Sequence, residues 1–206
     1  MPFRDLIEAL DAAPADRPFV TSWIDEDERV TLSFADFRRR ARAQASILQN
    51  HGVGAGDCVI IIMPQEIAAM TAFIGAMMLG AAPAFLAYPN FKIEPSKYRA
   101  GLAGVSANLK AKAVIIDEQF PDEMLGHVSL PEGAQLIRAR DCLSLEGAVD
   151  IVLPLLQPQS LAFIQHSAGT TGLQKGVALS HAAVLRQIQH LERALQIDPA
   201  IDKIYS

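Results

Sequence analysis

The chain has 206 residues, 50% of them apolar and 20% charged, which excludes a disordered chain and is enough for a sizeable core. A net charge of −5 without a long run of Lys or Arg argues against a nucleic-acid-binding surface. Its two cysteines, Cys58 and Cys142, lie far apart, which excludes a disulfide scaffold or a cysteine-rich zinc module and fits a reducing, cytoplasmic compartment.

The first half of the chain alternates segments of helical and strand character. Residues 58–63 are a continuous apolar run of strand length, which is typical of a strand buried on both faces of a sheet. Ser33 is a candidate N-cap with Asp36 three residues later, so it predicts the start of a helix. The elements predicted here are helices at 3–12, 33–51 and 65–79, and strands at 19–23, 29–32, 58–63 and 83–86.

Residues 67–88 form a charge-free stretch of 22 residues, long enough to be weighed against the membrane span of about 20 residues. The stretch is rich in Ala and Gly, and Gly80 stands where a helix would end. A buried helix that runs into a buried strand explains it better. The N-terminus, with Asp5 directly after Arg4, does not match a secretory signal. We therefore expect no transmembrane segment.

The second half repeats the alternation. We predict helices at 96–107 and from Ser180 onward, strands at 113–116, 135–138, 161–165 and 176–179, and a loop or short helix at 117–127. Such alternation predicts an α/β fold with a mostly parallel sheet, flanking helices and right-handed crossovers. Pro154 and Pro158 frame a linker-like stretch, so we divide the chain into a first α/β unit at 1–157 and a second segment at 158–206.

The second segment contains the clearest chemical signal, FIQHSAGTTGLQKGV at residues 163–177. A predicted strand opens into a loop with three glycines, three hydroxyl side chains and Lys175. Glycines let several backbone N–H groups approach one anion. Ser and Thr hydroxyls donate to phosphate oxygens or bind magnesium, and the lysine adds a positive charge. This set of groups suits a polyphosphate.

Three other interpretations of the loop compete with a polyphosphate site. A Walker-type loop requires Gly-Lys-Ser/Thr, but Gln174 precedes Lys175 and Gly176 follows it. A serine-hydrolase elbow requires a glycine two positions before Ser167, where Gln165 stands. The third is a Gly/Thr-rich hairpin without a ligand, but a hairpin rarely needs about ten residues or a lysine at its exit.

Residues 167–177, SAGTTGLQKGV, resemble the signature loop of the adenylate-forming superfamily. Its members include acyl-CoA synthetases, fatty-acyl-AMP ligases, luciferases and peptide-synthetase adenylation domains. Residues 31–37 and 52–63 are similar to the family's first conserved block, and residues 73–86 to the helix-to-strand block that follows. The resemblance covers nearly the whole chain, most weakly at 90–149. It implies that the chain is part of the large N-terminal domain of an adenylate-forming enzyme.

The resemblance also implies a two-step reaction. A carboxylic acid, with a fatty acid favoured, attacks the α-phosphate of ATP to give acyl-AMP and pyrophosphate, and the thiol of coenzyme A or an acyl carrier then takes the acyl group. In this reaction Thr170 and Thr171 contact the β- and γ-phosphates and help to hold Mg²⁺, and Lys175, the implied catalytic residue, neutralises the leaving pyrophosphate. The implied nucleotide-binding residues are Ser167, Gly169, Thr170, Thr171, Gly172 and Lys175.

The chain departs from the family pattern at two loop positions. Ala168 replaces a usual serine and removes a donor, and Gln174 replaces a usual proline, so the loop before Lys175 is expected to be less rigid. The histidines His166, His181 and His190 cluster in sequence but lack ligand spacing, so we interpret them as solvated or packed side chains.

These observations give one leading hypothesis for the function, the N-terminal portion of an ATP-dependent acyl-CoA synthetase. The family's adenine, ribose and second metal-binding blocks cannot be found in the 206 residues. We therefore expect the chain alone not to catalyse adenylation, and to self-associate through exposed apolar surface. Two alternatives stay open: a stand-alone, non-catalytic binding or regulatory module with the same fold, and the adenylation domain of a peptide synthetase.

Overall fold

A computed structural model describes residues 3–23, 28–89, 94–139, 151–166, 176–198, 202 and 204. The helices in this part of the chain are α1 Leu6–Asp11, α2 Phe34–Asn50, α3 Ile67–Met78, α4 Pro95–Leu109, α5 Asp122–Leu125 and α6 His181–Leu195. The strands are β1 Pro18–Trp23, β2 Arg29–Ser33, β3 Cys58–Ile62, β4 Ala82–Phe85, β5 Ala113–Ile116, β6 Gln135–Arg138, β7 Leu161–His166 and β8 Gly176–Ser180. These elements match the predicted ones to within a few residues at each end.

Six strands form the central sheet, in the order β6-β5-β3-β4-β7-β8. Every pair from β6 to β7 is parallel, and only the edge pair β7–β8 is antiparallel. Strands β1 and β2 form a separate antiparallel pair. The predicted α/β class with a mostly parallel sheet and flanking helices is therefore confirmed. The division of the chain at residue 157 stays a prediction.

The middle of the sheet is buried on both faces, as the apolar run at residues 58–63 predicts. Val59 and Ile61 of β3 point into a cluster shared with α1, α2 and α3, whereas Ile60 and Ile62 point into a second cluster shared with α4 and α5. All four side chains are 0% exposed. Successive residues of a strand point to opposite faces of the sheet. Because a helical layer covers each face here, all four consecutive positions of β3 need apolar side chains.

Helices α2 and α3 approach each other closely at a glycine. A Cβ atom added to Gly75 of α3 would lie 2.7 Å from the Ala41 carbonyl oxygen and 2.7 Å from Gln44 Cβ, both on α2. Real Cβ atoms do not occur at such distances from backbone atoms, so this crossing requires the glycine. The contact fixes α3 against the sheet directly after the end of β3.

The two predicted serine caps are confirmed. Ser33 Oγ accepts a hydrogen bond from the Asp36 N–H at 3.1 Å, and Ser180 Oγ accepts one from the Ala183 N–H at 3.3 Å. The charge-free stretch at 67–88 folds as the buried helix α3 followed by the buried strand β4. Among the residues described, no helix has both the length and the apolar character needed to cross a bilayer.

Candidate functional site at the carboxyl edge of the sheet

The candidate site lies where the parallel strands end. The chain leaves β3 toward α3 on one face of the sheet and leaves the neighbouring β4 toward α4 on the other face. Two adjacent strands whose connections diverge in this way make a crevice at the carboxyl edge, which is where open α/β sheets bind ligands. Strand β7 pairs with β4 in parallel, so its carboxyl end opens at the same edge.

The predicted phosphate loop connects β7 to β8. All six predicted nucleotide-binding residues, including Lys175 and the magnesium contacts Thr170 and Thr171, fall at 167–175, outside the described residues. The ends of this segment are defined, because His166 and Gly176 are register partners of the antiparallel pair. The segment therefore spans a hairpin. The interpretation that we disfavoured was a hairpin without a ligand. The strands β7 and β8 do pair as an antiparallel hairpin, and the binding of a ligand by the loop stays a prediction.

His166 ends β7 and packs across the hairpin onto Gly176. A Cβ atom added to Gly176 would lie 3.1 Å from His166 Nε2 and 3.2 Å from Ile164 Cγ2. Both ring nitrogens of His166 are shielded from solvent and have no hydrogen-bond partner among the residues that the structure describes. Burial lowers the pKa of His166 below its usual value, so the ring is neutral near pH 7.

Tyr88 and Asp117 form a polar pair at the same edge, beyond the ends of β4 and β5. The Tyr88 hydroxyl donates to Asp117 Oδ1 at 3.1 Å, and the Gln119 N–H donates to the same oxygen at 2.9 Å. Burial raises the pKa of Tyr88 to about 12, and the nearby carboxylates of Asp117 and Glu66 act in the same direction. The phenol is therefore a neutral hydrogen-bond donor held at the crevice.

Helix α6 follows β8 and contains His181 and His190, which the sequence predicts to be solvated or packed side chains. His181 is 0% exposed, and its Nδ1 accepts a hydrogen bond from the Leu6 N–H at 3.3 Å. His190 lies on the exposed surface of the same helix. Within the described ranges, no group of three or more His, Cys, Asp or Glu side chains could hold a metal ion.

The described surroundings of the loop fit a polyphosphate ligand. The hairpin opens at the ligand-binding edge, and the ring nitrogens of His166 at its entrance have no hydrogen-bond partner within the described part of the chain. The loop sequence adds hydroxyl, backbone and ammonium donors, which suit phosphate oxygens together with magnesium.

Sequence reasoning assigned no role to several residues at this edge. Tyr88 and Asp117 are 29 positions apart and follow different strands, so no local sequence motif predicts that they form a pair. Their position just beyond strand ends is the one signal that could have found them, because carboxyl ends of parallel strands meet at one edge.

The fold and this edge define an α/β domain with a crevice at the carboxyl edge of its sheet, and comparison with known proteins gives the family. The family model described as "AMP-binding enzyme" matches residues 7–205. The chain belongs to this family of AMP-binding enzymes.

Curated relatives align with most of the chain at modest identity. The phenyloxazoline synthase MbtB of Mycolicibacterium paratuberculosis is 28% identical over 169 residues, which is 82% of this chain and 13% of that protein. The 4-hydroxyphenylalkanoate adenylyltransferase of Mycobacterium marinum is 29% identical over 159 residues, which is 75% of this chain and 25% of that protein. The chain thus spans a quarter or less of the length of these two relatives.

Solved structures share the fold. A McyG A-PCP structure complexed with phenylalanyl-adenylate superimposes with a TM-score of 0.80 at 22% identity, over 94% of this chain and 31% of that one. A structure of fatty acyl-adenylate ligases from E. coli and L. pneumophila gives a TM-score of 0.83 at 21% identity, over 97% of this chain and 35% of that one. Both neighbours are adenylate-forming proteins, and the likeness to them is one of fold.

Proposed function

We propose that this chain supplies the phosphate-binding portion of an ATP-dependent ligase that activates a carboxylic acid as an acyl-adenylate. The observation that carries the proposal is the position of the loop: a sequence rich in phosphate-binding groups spans the β7–β8 hairpin, which opens at the carboxyl edge of a parallel sheet. Membership in the AMP-binding family supports the reaction class.

In the proposed reaction the residues of the loop bind and orient the triphosphate. Backbone N–H groups near Gly169 and Gly172 would donate to phosphoryl oxygens, and Lys175 would neutralise charge as pyrophosphate leaves. Thr170 and Thr171 would hold Mg²⁺ with the phosphates, and the ion supplies charge neutralisation when bound. Positioning and charge stabilisation, and not a covalent enzyme intermediate, would then account for the rate.

There are two candidates for the acid that is activated and for the group that accepts it. The fatty-acid reading, with coenzyme A or an acyl carrier as the thiol, is supported by the fold likeness to fatty acyl-adenylate ligases. The second candidate is the adenylation of an amino or aryl acid within a peptide synthetase. It is supported by the relative MbtB, a phenyloxazoline synthase, and by the likeness to McyG bound to phenylalanyl-adenylate.

Binding of magnesium pyrophosphate and MgATP to the 206-residue chain, measured by calorimetry, tests the loop. We expect Lys175→Ala to weaken binding of both by about tenfold or more, because a charge-assisted contact to phosphate is lost. The matched control is Lys112→Ala, since Lys112 directly precedes β5 at the opposite edge of the sheet. Equal affinities of wild type and Lys175→Ala would contradict the proposal.

ATP–pyrophosphate exchange with a panel of acids tests the reaction and separates the two substrate lines. The panel contains long-chain fatty acids, aryl acids and the common amino acids, and the assay uses a protein that contains this chain within a complete adenylation domain. Exchange that depends on fatty acids favours the fatty-acid candidate, and exchange that depends on amino or aryl acids favours the peptide-synthetase candidate. Absence of acid-dependent exchange with the whole panel would count against the proposed activity. We expect the 206-residue chain assayed alone to show no robust exchange.

A further inference from the structure

Helix α1 is held to the rest of the domain at both ends, by contacts of different kinds. At its N-terminal end the N–H of Leu6, the first residue of the helix, donates to Nδ1 of His181 at 3.3 Å. At its C-terminal end the Arg38 guanidinium donates to the carbonyl oxygens of Leu10 and Asp11, both at 2.9 Å. Arginine keeps its charge in proteins, whereas histidine changes its charge near pH 6.5. The two ends of α1 therefore differ in their response to pH.

The hydrogen bond from Leu6 fixes the protonation state of the His181 ring. A backbone N–H can only donate, so Nδ1 must carry a lone pair and the proton of the neutral ring lies on Nε2. The ring is 0% exposed, and Nε2 has no hydrogen-bond partner among the residues that the structure describes. A second proton, on Nδ1, would face the Leu6 N–H donor to donor. The contact is therefore compatible with the neutral ring alone.

The charged groups near the ring lie on the α1 side of the contact. Asp5, which is 2% exposed, acts on His181 electrostatically and favours the charged ring. Its carboxylate already accepts from the Glu8 N–H at 2.8 Å and from Arg4 Nε at 3.0 Å. On the other side, the His181 N–H donates to the carbonyl oxygen of the uncharged Ser160. The first turn of α6 and the whole of α3, which packs against α1, contain no charged residue apart from the histidine itself.

Burial decides the charge of the ring at neutral pH. It lowers the pKa of His181 below its usual value, against the opposing contribution of Asp5. The ring is therefore neutral at pH 7 and takes up a second proton only below about pH 6.5. The charged ring loses the Leu6 hydrogen bond and is unfavourable in a place shielded from water. Opening of the contact with α1 exposes the ring to water and removes both penalties.

The size of α1 allows it to separate without unfolding of the sheet. The helix has six residues, and Ile7 is the one among them that is buried. In β3, by contrast, Ile60 and Ile61 are both 0% exposed. Segments with few buried apolar contacts open with a small free energy, whereas core strands open only with the whole domain.

We propose that the contact between α1 and α6 is an acid-sensitive switch, which holds Leu6 on the neutral His181 ring and releases the N-terminal end of α1 when the ring takes up a proton. The Arg38 contacts keep the C-terminal end of α1 in place, so the helix pivots about that end while the sheet keeps its packing. Release also frees the first turn of α6, the helix that directly follows β8. The switch does not depend on the proposed function.

Amide hydrogen exchange of the 206-residue chain, measured by NMR from pH 7.5 downward, tests the switch. Each rate is compared with the intrinsic rate at the same pH, which gives a protection factor. We expect the protection of the Leu6 N–H to fall about fivefold as the His181 ring titrates, the effect of one lost neutral hydrogen bond. The Ile61 N–H in β3 should keep its protection over the same range. Constant protection of Leu6 during the titration of the ring would overturn the proposal.

The variant His181→Gln separates the charge of the ring from the hydrogen bond that it accepts. The glutamine amide oxygen can accept from the Leu6 N–H but does not titrate, so the protection of Leu6 should become independent of pH. His190→Gln, on the exposed surface of α6, is the matched control and should keep the pH dependence of the wild type. A wild-type pH dependence in His181→Gln would show that another group controls the contact, and the proposal would be wrong.

A comparison within the wild-type chain separates local release from acid unfolding. Equal losses of protection at Leu6 and Ile61 would mean that acid opens the whole domain, which would overturn the switch. A His181 ring that stays neutral down to the pH at which the whole chain unfolds would overturn it too. Should His181→Gln fail to fold, these two wild-type measurements decide.

Discussion

The centre of the sheet and its β7–β8 edge are built in contrasting ways. In the centre, β3 and β5 lie between two helical layers, and Ile61 and Ile115 are both 0% exposed. At the edge, Val177 of β8 is 52% exposed and Leu195 at the end of α6 is 67% exposed. Apolar burial is thus concentrated in the strands that anchor the crevice, while the hairpin of the proposed phosphate loop has few such contacts. Segments with little buried surface open most readily, so the edge is the less stable part of the domain.

The largest expected difference between the two regions comes from truncating one side chain in each. Ile115→Ala removes a fully buried side chain from β5 and should lower the free energy of unfolding by about 2–5 kcal/mol, since it leaves a cavity. Leu195→Ala removes an exposed side chain and should change it by only about 0.5 kcal/mol or less. Urea unfolding of both variants measures this contrast. Similar losses of unfolding free energy in the two variants would mean that the end of α6 is as well packed as β5, which would contradict the contrast between centre and edge.

A pair of glycine substitutions sharpens the comparison within the helical layers. Gly75→Ala forces a Cβ to within 2.7 Å of the α2 backbone, so it should destabilise the chain by about 1–3 kcal/mol. Gly104→Ala is the control, because it lies in α4 with open space around the added Cβ, and it should stabilise the chain by about 0.5–1 kcal/mol. Thermal unfolding would give opposite shifts in Tm for the two variants, and shifts of the same sign would contradict the close crossing of α2 and α3.

The smallest expected effect is a pH dependence at the junction of the edge with α1. Burial lowers the pKa of His181, with an opposing contribution from Asp5, so the unfolded chain binds more protons below about pH 6.5. Stability contributed by the neutral ring is present above that pH and is lost as pH falls toward the lowered pKa. We expect His181→Gln to flatten this part of the profile of unfolding free energy against pH.

The exposed His190 on the same helix offers the control substitution for that profile, His190→Gln. Burial also lowers the pKa of His166, which remains in the His181→Gln variant. That variant should therefore retain part of the slope of unfolding free energy against pH. A profile for His181→Gln that coincides with wild type between pH 5 and 7 would show that the buried imidazole does not contribute.

The sequence predicted most of the fold because its signals are local. The run at 58–63, the caps Ser33 and Ser180, and the apolar strand at 113–116 depend on neighbouring residues, and each matches the structure. The loop chemistry at 167–175 is local too, and the family assignment that it carried is confirmed by the match over residues 7–205.

What the sequence did not predict depends on contacts between distant segments. Three features follow from which strands become neighbours in the sheet: the antiparallel direction of β8, the contact of His166 with Gly176, and the pair Tyr88–Asp117. No periodicity in the sequence encodes the order of the strands. The need for glycine at position 75 likewise comes from α2, some thirty positions earlier in the chain. The roles of individual loop residues, and the expected self-association through apolar surface, stay predictions.

The hydrogen bond from Leu6 to His181 has a consequence for biosynthesis. Its two residues are 175 positions apart, so α1 emerges from the ribosome long before its partner in α6 exists. At translation rates of about 5–20 residues per second, the N-terminal helix waits roughly ten to thirty-five seconds for that partner. Until α6 is made, the nascent chain must therefore hold α1 by contacts with segments made earlier, among them α2 and α3.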